Sequence, residues 1–182
     1  GSARPEVHAA ALGAVVKLVR ADPQHAAFFA QQFAGGCARL CDSSVQTVRS
    51  AALHAVETLV LLCGKGSCTF ASVVLPPLTQ AIQRASREED AARGCAVAAL
   101  GALLVSCSDA LGAAKAGAAA LFFGSLPLKS ASSESHVAHQ MCLALLSRAD
   151  FHASVDDVRR VVAMLSEFVT TSASQPELDK NA

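Results

Sequence analysis

The sequence predicts an all-α protein, a right-handed α-solenoid of about four stacked helix pairs. Three observations carry that expectation. Of the 182 residues, 52% are hydrophobic, 16% are charged and only 4% are aromatic, with no Trp or Tyr. A chain so rich in Ala and Leu packs as close-set helices, because pleated sheets favour β-branched and aromatic side chains. Next, Val45, Val48, Ala52, Ala55, Val56, Leu59 and Val60 recur at spacings of three and four, which draws one apolar stripe along a helix. That stripe then returns elsewhere in the chain.

The recurrence is specific in its offsets. Arg49, Ala52, Ala55 and Val56 match Arg93, Ala96, Ala99 and Leu100, and the same offsets fall on His139, Cys142, Leu145 and Leu146, and on His8, Ala11, Ala14 and Val15. The anchors at 8, 49, 93 and 139 are 41, 44 and 46 residues apart. A period of this length suits one pair of helices, each pair burying a face against the next. Ala52, Ala96 and Cys142 should therefore sit at equivalent helix–helix contacts, where small side chains let backbones approach.

Each element follows from local signals. Pro5 suits a first helical turn, and the first helix should reach Arg20. Asp22-Pro23 should break it and cap the next, over 24–40, with Gly35-Gly36 as a weak point in its middle. Asp42-Ser43-Ser44 should cap the Arg49 helix, which Gly64 ends. A helix over 70–85 should be kinked or delayed by Pro76-Pro77. Ser86–Asp90 reads as a turn whose acids face the next helix N-terminus, and that helix should run to Ser106. Ser108-Asp109 should cap a small-residue helix over 110–124. A polar loop over 129–134 should lead to a helix over 135–148, and Ser154, Asp156 and Asp157 should open a last helix ending near Thr170. Gly1-Ser2 reads as a cloning remnant, 3–171 as a single domain and 172–182 as a flexible tail.

Charge and cysteine usage narrow the function classes. Fifteen basic and fifteen acidic side chains give a formal net charge of zero, so neither nucleic acid nor an anionic lipid surface is expected as a partner. Ala110–Leu128, the nearest thing to a membrane span, carries Lys115 and reads better as a core helix. The seven cysteines are odd in number and scattered through apolar stripes, which points to reduced, buried thiols in a cytoplasmic protein rather than a disulfide scaffold.

The chemistry-bearing residues do not assemble a site in the sequence. Gly64-Lys65-Gly66-Ser67 resembles part of a phosphate loop, but Leu59 stands where the loop's first glycine belongs, and an inter-helix turn is the better reading. His136, His139 and Cys142 share a helix face, yet His139 holds the repeat's Arg position and zinc needs a further ligand. Cys37 and Cys41 lie one turn apart with no second pair at matching spacing. His8, His25, His54, His136, His139 and His152 are dispersed, and Glu88-Glu89-Asp90 and Asp156-Asp157 read as solvated turns and helix starts. No catalytic, metal-binding or cofactor-binding residue is expected.

Residues 42–82 carry a resemblance. Asp42, Val48-Arg49, Gly64-Lys65, Phe70 and Pro76-Pro77 stand where HEAT repeats of TOG-type domains place them, especially those of the cytoplasmic-linker-associated proteins. The likeness continues more weakly through residues 92–100. It implies a flat helical paddle that engages tubulin through loops within the helix pairs. Here those loops would be Ala3-Arg4-Pro5, 42–46, 86–89 and 130–135. Such domains put a tryptophan in the first loop, and this chain has none. Glu88, Glu89, Asp90 and Glu134 also add negative charge beside a face meant for an acidic partner.

The expected function is a non-catalytic protein-interaction module of a larger cytoskeletal protein, in the cytoplasm or a cilium, with tubulin as one possible partner. Its contact residues would be Arg4, Asp42, Gln46, Arg87 and Glu88, on the ridge where equivalent loops align. The alternative is a structural or self-associating α-solenoid with no affinity for tubulin.

Overall fold

A computed structural model describes residues 4–84, 90–128, 133–148 and 155–173. Among them are eight α-helices and no strand: α1 Pro5–Ala21, α2 Ala26–Leu40, α3 Gln46–Cys63, α4 Ala71–Arg84, α5 Asp90–Cys107, α6 Lys115–Gly124, α7 Ser133–Leu146 and α8 Val155–Ala173. The all-helical class and the order of elements agree with the sequence. The details of several helix ends do not.

Pro5 opens α1, with Glu6 in its first turn and Arg20 in its last, as the helix dipole favours. Asp22 does not cap α2. Its carboxylate lies 2.8 Å from His25 Nδ1, and a 3-10 turn, Pro23–His25, precedes the helix. Gly35 and Gly36 leave α2 continuous, because Ala30, Ala34, Cys37 and Ala38 bury its face on both sides of them.

The predicted cap of α3 is also replaced. Val45 holds the N-cap position without a side-chain bond, and the Val45 N–H donates to Ser43 Oγ at 3.2 Å. Asp42 is turned elsewhere. Gly64 ends α3 at φ 49°, the left-handed conformation glycine adopts without strain. A 3-10 turn, Gly64–Thr69, then leads to α4, which starts at Ala71 and contains both Pro76 and Pro77. The Thr79 hydroxyl donates to the Pro76 carbonyl at 2.8 Å.

The small-residue helix starts later than its composition indicates. A 3-10 turn at Gly112–Ala114 precedes α6, whose first residue is Lys115, and Ser108-Asp109 cap nothing there: Ala114 is the N-cap, with no side-chain bond. Gly112 has φ 50°, which ends local helix continuity at that point. The last helix runs to Ala173. The turn over 85–89, most of the loop over 129–134 and the tail beyond 173 lie outside the described residues.

Packing organises the odd-numbered helices into a series, α1 on α3, α3 on α5 and α5 on α7. The others lie beside them, with α2 against α3 and α4, α4 against α5, and α6 against α5 and α8. Ala52, Ala96 and Cys142 are all fully buried, as their shared offset predicts. The four anchors His8, Arg49, Arg93 and His139 are all half-buried. The first copy departs from the rest, since Ala11 and Ala14 are exposed. One segment, Gln46–Thr69, is long and apolar enough to cross a bilayer, which the sequence reading overlooked; half of it is buried, as a central packing helix requires.

Candidate functional site

The loop between α2 and α3 forms one wall of a polar cleft of about 370 Å3. Asp42, Ser43 and Ser44 line it together with Arg49 from α3, Arg84 from the end of α4 and Arg93 from the start of α5. Arg49 and Arg93 share an offset in the sequence and lie on the neighbouring helices α3 and α5, and α4 brings Arg84 to the same cleft.

Asp42 is held by a network. Arg84 NH1 donates to its Oδ1 at 3.1 Å. Gln80, with its amide nitrogen turned toward the carboxylate, donates to Oδ1 at 2.7 Å and Oδ2 at 2.9 Å, while its oxygen accepts from Arg84. Arg49 NH1 donates to the Ser43 carbonyl at 2.7 Å and so ties the loop to α3. Arg93 Nε is buried and has no hydrogen-bond partner among the described residues. Among the described residues, three guanidiniums and the Asp42 carboxylate line this cleft, and the planar donors of a guanidinium suit a carboxylate.

The site residues expected from the sequence divide. Asp42 belongs to this cleft. Gln46 is exposed at the first position of α3, and Arg4 is exposed at the N-cap of α1; neither lines the cleft. Arg87 and Glu88 fall outside the described residues. The cleft's own arginines, Arg49, Arg84 and Arg93, were not read as contact residues. The offset shared by Arg49 and Arg93 was the signal that could have found two of them.

Other candidates acquire plain structural roles. In the Gly64–Thr69 turn, the fully buried Ser67 donates to the Gly64 carbonyl at 2.6 Å and lies 3.0 Å from Cys107 Sγ, so it faces the core and not a phosphate. His136 pairs with Gln140 at 2.9 Å. Burial, with help from His136, lowers the pKa of His139 and keeps that ring neutral. Burial likewise raises the thiols of Cys37, Cys107 and Cys142 to about 11 and that of Cys41 to about 12. Thiols held so far above neutrality are poor nucleophiles.

A further cluster was missed. His54 and Glu57 on α3 and Cys95 on α5 bring one donor atom each within 4.8 Å of one another. These are the donor types that hold zinc. Glu57 is only 4% exposed, and His54 Nδ1 lies 3.2 Å from its carboxylate. Arg20 approaches the other ring nitrogen at 3.5 Å. A guanidinium beside the histidine opposes a cation there, so the cluster is better explained as a buried carboxylate compensated by its own neighbours. An acid within the apolar stripe of α3, beside Val56 and Val60, was its sequence signal. Compared with known proteins, the chain matches no family model, no curated protein and no solved structure.

Proposed function

We propose that this chain is a non-catalytic interaction module, a right-handed array of about four helix pairs of the HEAT or armadillo kind, that docks another protein at its loop edge. The observation that carries the reading is the cleft lined by Arg49, Arg84 and Arg93 together with Asp42. Arg84 and Gln80 already hold the Asp42 carboxylate, so an incoming carboxylate would compete with it for Arg84. Such a cleft selects an acidic protein surface, through charge-assisted bonds that give specificity and speed of encounter. Tubulin is an acidic partner of this kind, and the resemblance of residues 42–82 to TOG-type repeats makes it the first to test. That partner would place the parent protein at the cytoskeleton. Arg4 and Gln46 are further contact residues in this reading, and Arg87 and Glu88, its other two, lie outside the described residues.

Gel filtration with free tubulin tests it. Co-elution at roughly 10 µM is expected, lost in Arg84→Glu and Arg93→Glu variants that melt like the wild type. Wild-type chain that elutes apart from tubulin removes tubulin as the partner. Full binding by both variants removes the cleft as the site.

A further inference from the structure

We propose that Cys68 and Cys107 form a dithiol site that takes a small-molecule disulfide as its co-reactant. The product is an internal disulfide between the turn after α3 and the end of α5. The site is independent of the partner at the Asp42 edge.

Two segments far apart in sequence meet there. The 3-10 turn Gly64–Thr69 packs against α5, whose last residue is Cys107. Two contacts fix the register of this meeting. Ser67 Oγ lies 3.0 Å from Cys107 Sγ. Cys68 Sγ donates to the Ser106 carbonyl at 3.7 Å, from 38 residues away. Consecutive residues of the turn thus match consecutive residues of the helix end, and the Cys68 and Cys107 thiols are hydrogen-bonded to each other. The turn is itself held in place, since Ser67 donates to the Gly64 carbonyl at 2.6 Å and accepts from the Phe70 N–H at 3.1 Å. Two thiols already in contact meet the first demand of a disulfide, that the backbone need not travel to form it.

The two thiols differ in access. Cys107 is only 2% exposed, whereas Cys68 is half-buried. That difference sets this pair apart from the other five cysteines. Cys37 and Cys41 also adjoin, with Cys41 Sγ donating to the Cys37 carbonyl at 3.4 Å, but both are buried and a reagent in solution has no entry. Cys95 and Cys142 are buried as well, and Cys63 is the other half-buried thiol. Cys68 combines an entry with a partner.

Entry sets the order of the steps. The Cys68 sulfur, having given its proton to water, attacks one sulfur of the small disulfide. A mixed disulfide forms on Cys68, the small molecule's own S–S bond breaks, and one thiolate leaves and takes up a proton. The Cys107 sulfur, deprotonated in its turn, then attacks Cys68 Sγ and expels the second small thiolate. Across both steps two protein thiols lose two electrons and two protons, and one small disulfide becomes two small thiols. The surroundings of Cys107 suit it to the second step. Burial, and then the neighbouring Cys68 thiol, push it up to about 11, while the Ser67 hydroxyl offsets part of that rise by bonding to the ionised sulfur. A sulfur of so weak an acid is a poor leaving group, so the finished link resists reversal. Because α3 and α5 are neighbours in the helix series, the link braces two central helices against each other.

Peptide mapping of the full chain without reduction, after exposure to oxidised glutathione at about pH 8, tests this. A segment holding Cys68 should be joined to one holding Cys107, in a chain two hydrogen atoms lighter than the reduced form. Fragmentation separates Cys107 from Cys95, which trypsin leaves on the same peptide. Cys68→Ser should lower the yield of linked chain at least about tenfold. Cys107→Ser should halt with one glutathionyl group on Cys68, and Cys63→Ser should link like the wild type. Circular dichroism verifies that the variants fold, and the wild-type map stands without them. The linked chain should melt about 5 °C above the reduced one, a gain that dithiothreitol removes. Wild-type chain that stays reduced, or that stops at the mixed disulfide on Cys68, overturns the inference. So does a linked chain that melts below the reduced one, because the folded geometry would then not suit the bond.

Discussion

His54 Nδ1 and Glu57 Oε2 face each other at 3.2 Å across one turn of α3, and the carboxylate is almost removed from water while the ring is 40% exposed. A buried acid kept by a partner at the surface makes the pair asymmetric. Removing the histidine strands a charge, whereas neutralising the acid strands only an amide. His54→Ala should therefore cost about 1–2 kcal/mol, discounted because the ring is partly solvated. Glu57→Gln should cost less, and the double variant less than the sum of the two. Chemical denaturation of all three forms a double-mutant cycle, and strict additivity would sink the coupling.

Gly101 on α5 packs closely against Phe122 of α6 and Met141 of α7. A Cβ built there would lie 2.6 Å from Phe122 Cε2 and 2.8 Å from Met141 Cβ. Gly101→Ala should raise helix propensity by about 1 kcal/mol yet lose more to the clash, for a net loss of roughly 1–3 kcal/mol. A melting temperature at or above the wild type would contradict the close approach.

The same argument applies at the repeat positions. Ala52 and Ala96 are both fully buried, so Ala52→Leu or Ala96→Leu should overpack by roughly 1–3 kcal/mol. In contrast, Ala11→Leu at the matching but exposed position of α1 should leave stability near that of the wild type. Thermal melts of the three variants compare them directly, and equal losses in all three would erase the difference between the covered helices and the uncovered one.

Two classes of titrating group bracket the pH range. The pKa of His139 is lowered in the fold, first by burial and then by His136, so the unfolded chain takes up its proton earlier as pH falls. Its contribution to stability is complete above the unfolded value of 6.5 and is lost as pH drops toward the folded one. Replacing it with Gln should flatten stability over that window, and parallel wild-type and variant curves would refute this.

The thiols act at the other limit. Cys37, Cys107 and Cys142 rise from 9.0 to about 11 and Cys41 to about 12, so the folded chain holds protons that the unfolded chain releases. Stability is fully present below pH 9 and declines as pH climbs through the folded values. These four should resist a thiol reagent at pH 8 until the chain unfolds, and rapid native labelling of all four would show that they are not buried as described.

The sequence by itself determined the all-helical class and the order of the helices. Stripes spaced by three and four are local, so α1, α3, α5 and α7 could be placed, and the 41, 44 and 46 residue offsets marked Ala52, Ala96 and Cys142 as equivalent buried positions. Only the tertiary structure decided what the polar residues do. Asp42 looks like a helix cap because its neighbours are Ser43 and Ser44, but Arg84 reaches it from 42 residues away and draws it into the cleft. Cys95 joins His54 and Glu57 for the same reason, since α3 and α5 are neighbours only once packed. The opposite exposures of Leu18 and Leu59 have the same origin. Identical patterns specify an apolar stripe, while the presence of a covering helix determines whether water reaches it.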